Sequence, residues 1–548
     1  MRWQRSLAAG EGPAAFLRLS WLLILLCGAP PPAPAGPAEP DARAVPWTAL
    51  RRLSLEAGRP LPLCRPLSET EIADLLAEVA GASTDALEDA GERALLARLR
   101  ARYANEPAAC VRTGGRGRGG LFELGEIVAG QAGLAAPAGL SVVFEPWLTA
   151  QRGRTWLTAC PRLKGRISGG GRALPPLLDY ADWPAATWGP VRGAARRDEG
   201  PWRLDWPLAA AGVQLGGWAI AGGRFPAATG LGDGGGLILD DTAPSFPCVV
   251  VRRRAPFAWR GFLSPLAPRQ LLLRVGRLSE RAAAAATGWS PPRSWRDEPW
   301  FLQWLVAWEP ARWLTSGASL GALALPRAGT LWPDVFQVAF PALSATENEL
   351  ERGPVTDRIF SVMFEARWRG APWIVLPSAA GRVYWEYGGE DFNPPGLVPL
   401  VPQISAPASV LGAELVGPRW DLLVEFAELE HPRVLWYAHH AFDDGYAHDG
   451  WVLGHPLGGG GRSLAGEARW RPRGSGRELV LRGERMTTGR PGATPGRARR
   501  WTGEMSWRAA DGLGPWGATA AWTRERVELF TGAAASADWW SLQLVLQK

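Results

Sequence analysis

Lysine is almost missing from this chain of 548 residues. Lys164 and Lys548 are its only two, so nearly all of the 60 basic residues are arginine. They are scattered and set against 53 acidic residues, leaving a net charge of +7. That excludes the concentrated basic stripe a nucleic-acid binder needs, and a lone triplet such as Arg252-Arg253-Arg254 reads as ordinary surface or lumen charge. Histidine is equally scarce: five residues, all between His431 and His455. Beyond Ala35 there is no apolar run of about 18 residues, so no transmembrane helix is expected in the mature chain. No unit of roughly 40–50 residues recurs, which weakens a propeller.

Cysteine is sparse too. Of five, Cys27 falls in the N-terminal leader, where its context fits a lipid anchor poorly. Cys64, Cys110, Cys160 and Cys248 remain, at spacings that match no zinc site. Their even number permits disulfides in an oxidising compartment. Cys64 with Cys110 would close the helical segment described below, and buried or free thiols are the other reading.

What is present begins with a leader. Arg2, Arg5 and Arg18 give a positive n-region, Leu17 to Ala29 supplies a short apolar core, and Ala33-Pro34-Ala35 offers a small-residue cleavage site. Residues 1–35 therefore read as an export signal. Residues 36–120 read as a small helical bundle. Pro46 to Gly58 has proline at its first turn and glycine at its end. Ser68-Glu69-Thr70-Glu71 is a capping box followed by Ile72, Leu75, Leu76 and Val79 at helical spacing. A third helix is expected from Asp85 to Tyr103, with Leu87, Leu95, Leu96 and Leu99 on one side. The glycine-rich Gly114 to Gly120 would end the bundle.

From residue 121 to 548 the period changes to two. Trp202, Leu204, Trp206 and Leu208 alternate with Arg203, Asp205 and Pro207. Val362, Phe364, Ala366 and Trp368 alternate with Ser361, Met363, Glu365 and Arg367. Trp420, Leu422, Val424 and Phe426 alternate with Asp421, Leu423, Glu425 and Ala427. Trp540, Leu542, Leu544 and Leu546 alternate with Ser541, Gln543 and Val545. Each is a strand with one apolar and one largely polar face. Exported, helix-free strands of this kind, with 31 tryptophans in the chain, favour an outer-membrane antiparallel β-barrel, because lipid leaves no backbone group unpaired. At about 9–11 residues per spanning strand, roughly 400 residues give about 16–20 strands.

Few segments offer chemistry. The glycine run from Gly230 to Gly236 lacks the Lys-Ser/Thr of a phosphate loop and reads as a tight turn or an inward-folded loop. Asp240-Asp241 is a poor calcium cage and a better loop cap. Phe301 to Leu325 reads as two strands around Trp308-Glu309-Pro310, with Trp300, Trp304 and Trp313 in an interface belt. Val383 to Phe392 places Val383, Trp385 and Tyr387 on one face and Glu386 on the other. Glu386, Glu390 and Asp391 are the carboxylates a glycosidase would use, yet nothing fixes their separation. Phe442 to Leu464 is dense in turn-formers, histidines and aromatics. The flanking strand expected over Val434 to His440 would put His439 and His440 on opposite faces, which a shared metal ion does not allow.

Three segments together resemble the capsule-assembly Wzi family of Gram-negative bacteria. The first is Gly230-x-Gly232, then Leu237-Ile238-Leu239, then Ala243-Pro244 and Pro247. It departs from the family's W-G-x-G and S-L-I-L-S-x-N-A-x-P-x-P, with Ala-Ala-Thr before Gly230, Gly236 for Ser and Thr242 for Asn. The second is the W-x-x-x-W-E-P of Trp304 to Pro310. The third is Gly445-Tyr446, Gly450 and Gly454-His455-Pro456-Leu457-Gly458. The resemblance implies an outer-membrane barrel of about eighteen strands over a periplasmic helical bundle. It also implies a non-enzymatic lectin that needs no cofactor and holds surface polysaccharide on the cell. Tyr446, His448, Trp451, His455 and Arg462 are the expected saccharide contacts, since rings stack on sugar C–H faces and Arg or His meets acidic or hydroxyl groups. Expected partners are surface polysaccharide, outer-membrane lipid and polysaccharide export machinery, with no nucleic acid. The alternatives are a porin or polysaccharide conduit, and a soluble exported enzyme.

Overall fold

The computed structural model describes residues 47–61, 63–65, 69–82, 93, 95–97, 99–100, 109–122, 126–127, 135–136, 139–152 and 154–168 of the N-terminal part. It continues with 202–215, 217–253, 257, 266–278, 299–325, 355–370, 380–390, 406–431, 436–437, 442, 445–448, 451–472, 477–489, 496–509, 516–529 and 534–547.

Eighteen antiparallel strands close into one barrel. They are β1 (Ala109–Phe122), β2 (Gly139–Arg152), β3 (Thr155–Ser168), β4 (Trp202–Leu215), β5 (Trp218–Arg224) and β6 (Pro247–Arg253). Next come β7 (Gln270–Arg277), β8 (Trp300–Ala311), β9 (Leu314–Leu325), β10 (Val355–Arg369), β11 (Ala380–Glu390) and β12 (Ala406–Val416). The last are β13 (Trp420–Glu428), β14 (Arg462–Trp470), β15 (Arg477–Gly489), β16 (Gly496–Ala509), β17 (Trp516–Leu529) and β18 (Ala534–Gln547). Each pairs with its neighbour in sequence, and β18 returns to β1 from Arg116↔Gln547 to Phe122↔Ser541. Closure leaves no unpaired edge, the condition for crossing lipid with strands.

Burial along the strands is the reverse of a soluble sheet. In β13, Leu422, Val424 and Phe426 are exposed while Asp421, Leu423, Glu425 and Ala427 are buried. In β10, Phe364 is exposed while Ser361, Met363, Glu365 and Arg367 are buried. The apolar set faces outward, where lipid is the solvent, and the polar set faces a packed lumen. In β4, Trp202, Leu204 and Trp206 face outward but Leu208 is buried. The alternation read from sequence fails there because a bulge intervenes. Pairing jumps from Arg162↔Asp205 to Cys160↔Leu208, so Trp206 and Pro207 together oppose Pro161. Proline cannot donate to the ladder, and the extra residue turns the rest of the strand over.

The two rims differ. On one side the connections are as short as 153–154, 216–217, 312–313 and 417–419; on the other they span 169–201, 225–246, 326–354 and 429–461. Short turns mark the periplasmic end and long loops the outer end. The Trp308-Glu309-Pro310 segment is not the turn between β8 and β9. It lies in the irregular end of β8, and Arg312 and Trp313 make the turn.

The helical segment sits at the short-turn end. α1 (Trp47–Glu56) stops in a glycine-capped turn, with Gly58 at φ +64°. The Gly58 N–H donates to the Leu55 carbonyl at 3.0 Å and the Arg59 N–H to the Ser54 carbonyl at 2.7 Å, which satisfies the last carbonyls. α2 (Glu69–Ala82) packs Ile72, Leu75, Leu76 and Val79 with Ala49, Leu50 and Leu53 of α1 and with Leu95, Leu96 and Leu99. The capping serine, Ser68, and Leu87 lie outside the described residues, as do residues 1–46. The first barrel strand starts at Ala109, so Gly114 to Gly120 lies in the barrel wall instead of ending the bundle. Glycine disfavours a strand through entropy, but β2 pairs with β1 along its whole length and β18 pairs with it from Arg116 to Phe122.

Candidate functional site

The lumen is filled from both ends. From the short-turn end α1 contacts β10, β11 and β12, and Leu55 packs on Ala380 and Val416. The chain after α1 continues into the barrel. There Cys64–Arg65 pairs antiparallel with Ala228–Thr229 of the connection between β5 and β6. The side chains of Cys64 and Cys110 lie outside the described residues, and with them the expected disulfide. Cys160 and Cys248 are buried in the barrel.

From the other end, residues 225–246 fold inward, as the glycine run suggested. Leu237, Ile238 and Leu239 are fully buried in a core shared with Leu63, Phe301, Tyr384, Trp436, Tyr437, Tyr446 and Trp451. Wall carboxylates hold the loop's backbone. Glu425 accepts from the Asp233 N–H at 2.6 Å and the Gly234 N–H at 2.8 Å, and Glu386 accepts from the Leu237 N–H at 3.2 Å. Gly236 makes this approach possible, because a Cβ there would lie 1.7 Å from the Thr229 carbonyl oxygen. Asp240 caps its own turn by accepting from the Thr242 N–H at 2.9 Å.

The connection 429–461 forms a second inward layer. Trp436 and Tyr437 stand in a turn, with Tyr437 at φ +64°, where a strand was expected. Backbone alternation gave no warning, because the turn is fixed by distant partners. The Tyr437 N–H donates to Glu390 at 2.7 Å, its hydroxyl donates to the Leu237 carbonyl at 2.8 Å, and that hydroxyl accepts from the His455 N–H at 2.9 Å. His439 and His440 lie outside the described residues. Ala447–His448 pairs with Trp451–Val452 as a short hairpin.

Rings link the two loops to the wall. Tyr437 stacks on Tyr446 at 5.7 Å between centroids, Tyr446 meets Phe301 edge-on at 5.9 Å, and Phe301 meets Phe246 at 5.3 Å. Phe246 in turn meets His448 at 5.6 Å. Burial raises the Tyr437 and Tyr446 phenols well above their ordinary value, so both stay protonated. Burial also lowers His455 to about 4, so it is neutral at pH 7.

Of the five side chains expected to meet a saccharide, Tyr446, His448, Trp451 and His455 are therefore packed inside the lumen. No ring face of Tyr446 or Trp451 is open to solvent. An amphipathic ring looks the same in sequence whether its polar tip meets a sugar hydroxyl or a buried backbone group. Arg462 differs. It stands exposed at the outer rim, 3.0 Å from Glu428 and 3.1 Å from Glu430, with Arg497 3.5 Å from Glu430.

The lower lumen, which sequence reasoning did not single out, holds a chain of alternating charges. Asp233 is ion-paired with Arg51 of α1, and Arg51 lies 3.0 Å from Glu414. Arg382 bridges Glu414 at 2.8 Å and Glu365 at 3.1 Å, and Arg367 lies 2.7 Å from Glu365 and 3.5 Å from Glu309. Arg269 then joins Glu309 at 3.2 Å and Glu78 of α2 at 3.9 Å. Burial alone would raise the Asp233 carboxyl, but Arg51, Arg469 and Arg482 hold it far below the usual carboxylate range. Inward-pointing residues of the same face of β10 and β11 were the available signal: Glu365 and Arg367 two apart, Arg382 and Glu386 four apart with Tyr384 between them.

A closed antiparallel barrel with an apolar outer wall, a helical base and a lumen filled by its own loops is an outer-membrane β-barrel protein. Residues 195–537 match the capsule assembly protein Wzi, and the chain belongs to that family. Comparison with curated protein sequences finds no match. Among solved structures it is similar to Wzi of Escherichia coli, an outer-membrane protein involved in group 1 capsule assembly and described as a carbohydrate-binding β-barrel. Identity is 16% and the TM-score 0.59, over 93% of this chain and 99% of that one. OccAB2 of Acinetobacter baumannii matches at 7% identity and a TM-score of 0.44, over 80% of this chain and 98% of that one.

Proposed function

We propose that this barrel binds surface polysaccharide, capsular or exopolysaccharide, at its outer rim and holds it on the cell. The filled lumen is the observation that carries this reading. α1, Leu63–Arg65 and two inward loops occupy the space a conduit would need, so the polymer meets loops and rim instead of a channel. In this reading Arg462, with Glu428 and Glu430, offers charge-assisted hydrogen bonds to sugar hydroxyls or uronate groups. Tyr446, His448, Trp451 and His455 hold the loop beneath it. Weak contacts repeated along a polymer sum through multivalency.

The protein binds and does not cleave. Glu386 and Glu390, the carboxylates a hydrolase would draw on, are buried against Leu237 and Tyr437. Lipid around the wall and the polysaccharide export machinery below are its remaining proposed partners. Retention is tested by capture of the strain's own polysaccharide on purified protein. Cells lacking the protein are expected to shed polymer into the medium, and full retention of polymer on such cells refutes the reading. Planar-bilayer recording separates it from a porin: a plugged barrel is nearly silent, and steady conductance would favour the conduit.

A further inference from the structure

The outer wall carries charge where a lipid-facing wall should carry little. On β16 and β17, Arg499 is paired directly opposite Arg526, and both are exposed. Like charges directly opposite across a ladder are unfavourable unless an anion lies between them. Two residues lower, Arg485 of β15 and Arg524 of β17 flank Trp501 of β16 in a single cross-strand row. Two carboxylates stand among these four guanidiniums, and both are loosely placed. Glu528 lies 3.8 Å from Arg499 and 3.4 Å from Arg526, and Asp538 lies 3.6 Å from Arg524. A positive surplus and unused donors therefore face outward.

The height of this face is fixed by its surroundings. Trp501 and Trp522 share its lower border, and below them Leu481 and Leu544 continue the exposed apolar wall. Tryptophan marks the level where hydrocarbon gives way to headgroups, so the arginines stand at phosphate level on the long-loop, outer side. The feature is a face and not a ring: at the corresponding height of β11 and β12 the outward positions are Tyr387 and Ser409. Immediately below the arginine rows, Gly466, Gly483 and Gly503 lie side by side across β14, β15 and β16. A Cβ on any of them would meet nothing within 4 Å, which leaves a shallow hollow in the wall.

We propose that this face docks a phosphorylated, acylated glycolipid of the outer leaflet, its phosphate between the opposed arginines and an acyl chain against the glycine hollow. Guanidinium forks match phosphate oxygens in pairs and are weakly hydrated, which suits an interface. Continuity with the lipid-facing wall selects a membrane lipid over a free anion. The proposal does not rest on the saccharide reading: Arg462 stands in the same cross-strand row through Thr487, but the clamp is made by Arg485, Arg499, Arg524 and Arg526.

Native mass spectrometry of the full-length protein in mild detergent tests it, with diphosphorylated lipid A, its dephosphorylated form and phosphatidylglycerol as probes. The wild type is expected to retain the diphosphorylated glycolipid over the other two. Arg485→Gln/Arg499→Gln/Arg524→Gln/Arg526→Gln is expected to lower that retention by at least about tenfold, whereas Arg154→Gln in a short turn leaves it unchanged. Heat-modifiable gel mobility checks folding, and if the quadruple variant does not fold, Arg499→Gln/Arg526→Gln is read instead and still shows a loss. Equal retention of phosphorylated and dephosphorylated probes overturns the proposal. So does unchanged retention by the variants, or preferential binding of anionic polysaccharide at this face.

Discussion

Asp233, on a connection from the outer rim, is ion-paired inside the lumen with Arg51, on the helix that enters from the periplasmic rim. Both are buried. The pair joins elements from opposite sides of the membrane without passing through the wall. Removing one partner leaves Asp233 and Glu414, or Arg51, without full compensation in a largely buried site. Arg51→Met is expected to destabilise the plug by about 3–5 kcal/mol. Arg51→Met/Asp233→Asn should recover part of that loss. Hydrogen exchange of residues 225–246 measures it, and equal protection in wild type and Arg51→Met would rule the latch out.

Acid should loosen the second inward layer. His455 is held near 4 by burial, below an unfolded value of about 6.5. The unfolded loop thus binds the extra proton between those values. Its stabilising contribution is complete above pH 6.5 and falls by roughly 3 kcal/mol as pH drops to 4. Exchange protection at 451–461 is expected to decline through that window. Its Nδ1 accepts from the Leu457 N–H at 3.2 Å, a role the Asn oxygen can fill, so His455→Asn should flatten the profile.

Tyr437→Phe removes one hydroxyl and strands two groups. The Leu237 carbonyl and the His455 N–H lose their shared partner, at a cost of about 1–3 kcal/mol for each buried group left unsatisfied. The barrel should still fold, with the same gel mobility, while limited proteolysis between residues 431 and 461 accelerates.

Gly236→Val should open the lumen. The first added carbon already collides with the Thr229 carbonyl, so the inward loop must back out. Planar-bilayer recording is expected to show conductance steps in this variant and near silence in wild type.

Val424→Arg tests the outer wall. Val424 is 54% exposed in mid-strand, and a charge at the bilayer midplane costs about 2–4 kcal/mol. Folding into lipid vesicles, followed by tryptophan fluorescence, should show that loss. A neutral result would place this face in water.

Much of the wall was legible because lipid imposes a strict two-residue period, and Leu422, Val424 and Phe426 obey it. Leu208 escaped because a bulge makes no mark on alternation except a proline. Gly114 to Gly120 misled, since strand pairing with β2, and from Arg116 onward also with β18, outweighs glycine's local cost. The inward fold of 225–246 was visible in its glycines, whereas its partners Glu386, Glu425 and Arg51 were not. They are 149 to 192 residues away along the chain, and no local pattern encodes which wall position a loop will meet. Tyr446 and Trp451 showed the same gap: the sequence places amphipathic rings in this segment but carries no mark of how deeply they are buried.

A water-filled barrel is held together chiefly by its backbone ladder and by the lipid outside. This one also encloses Leu237, Ile238, Phe301, Trp436 and Trp451 in a dense interior. It has two separate apolar environments, one bounded by lipid tails and one by its own strands. Stripping away the first leaves the second intact. In mild detergent the molecule is therefore held by an internal core like that of a soluble protein, and its resistance to heat is set largely from within.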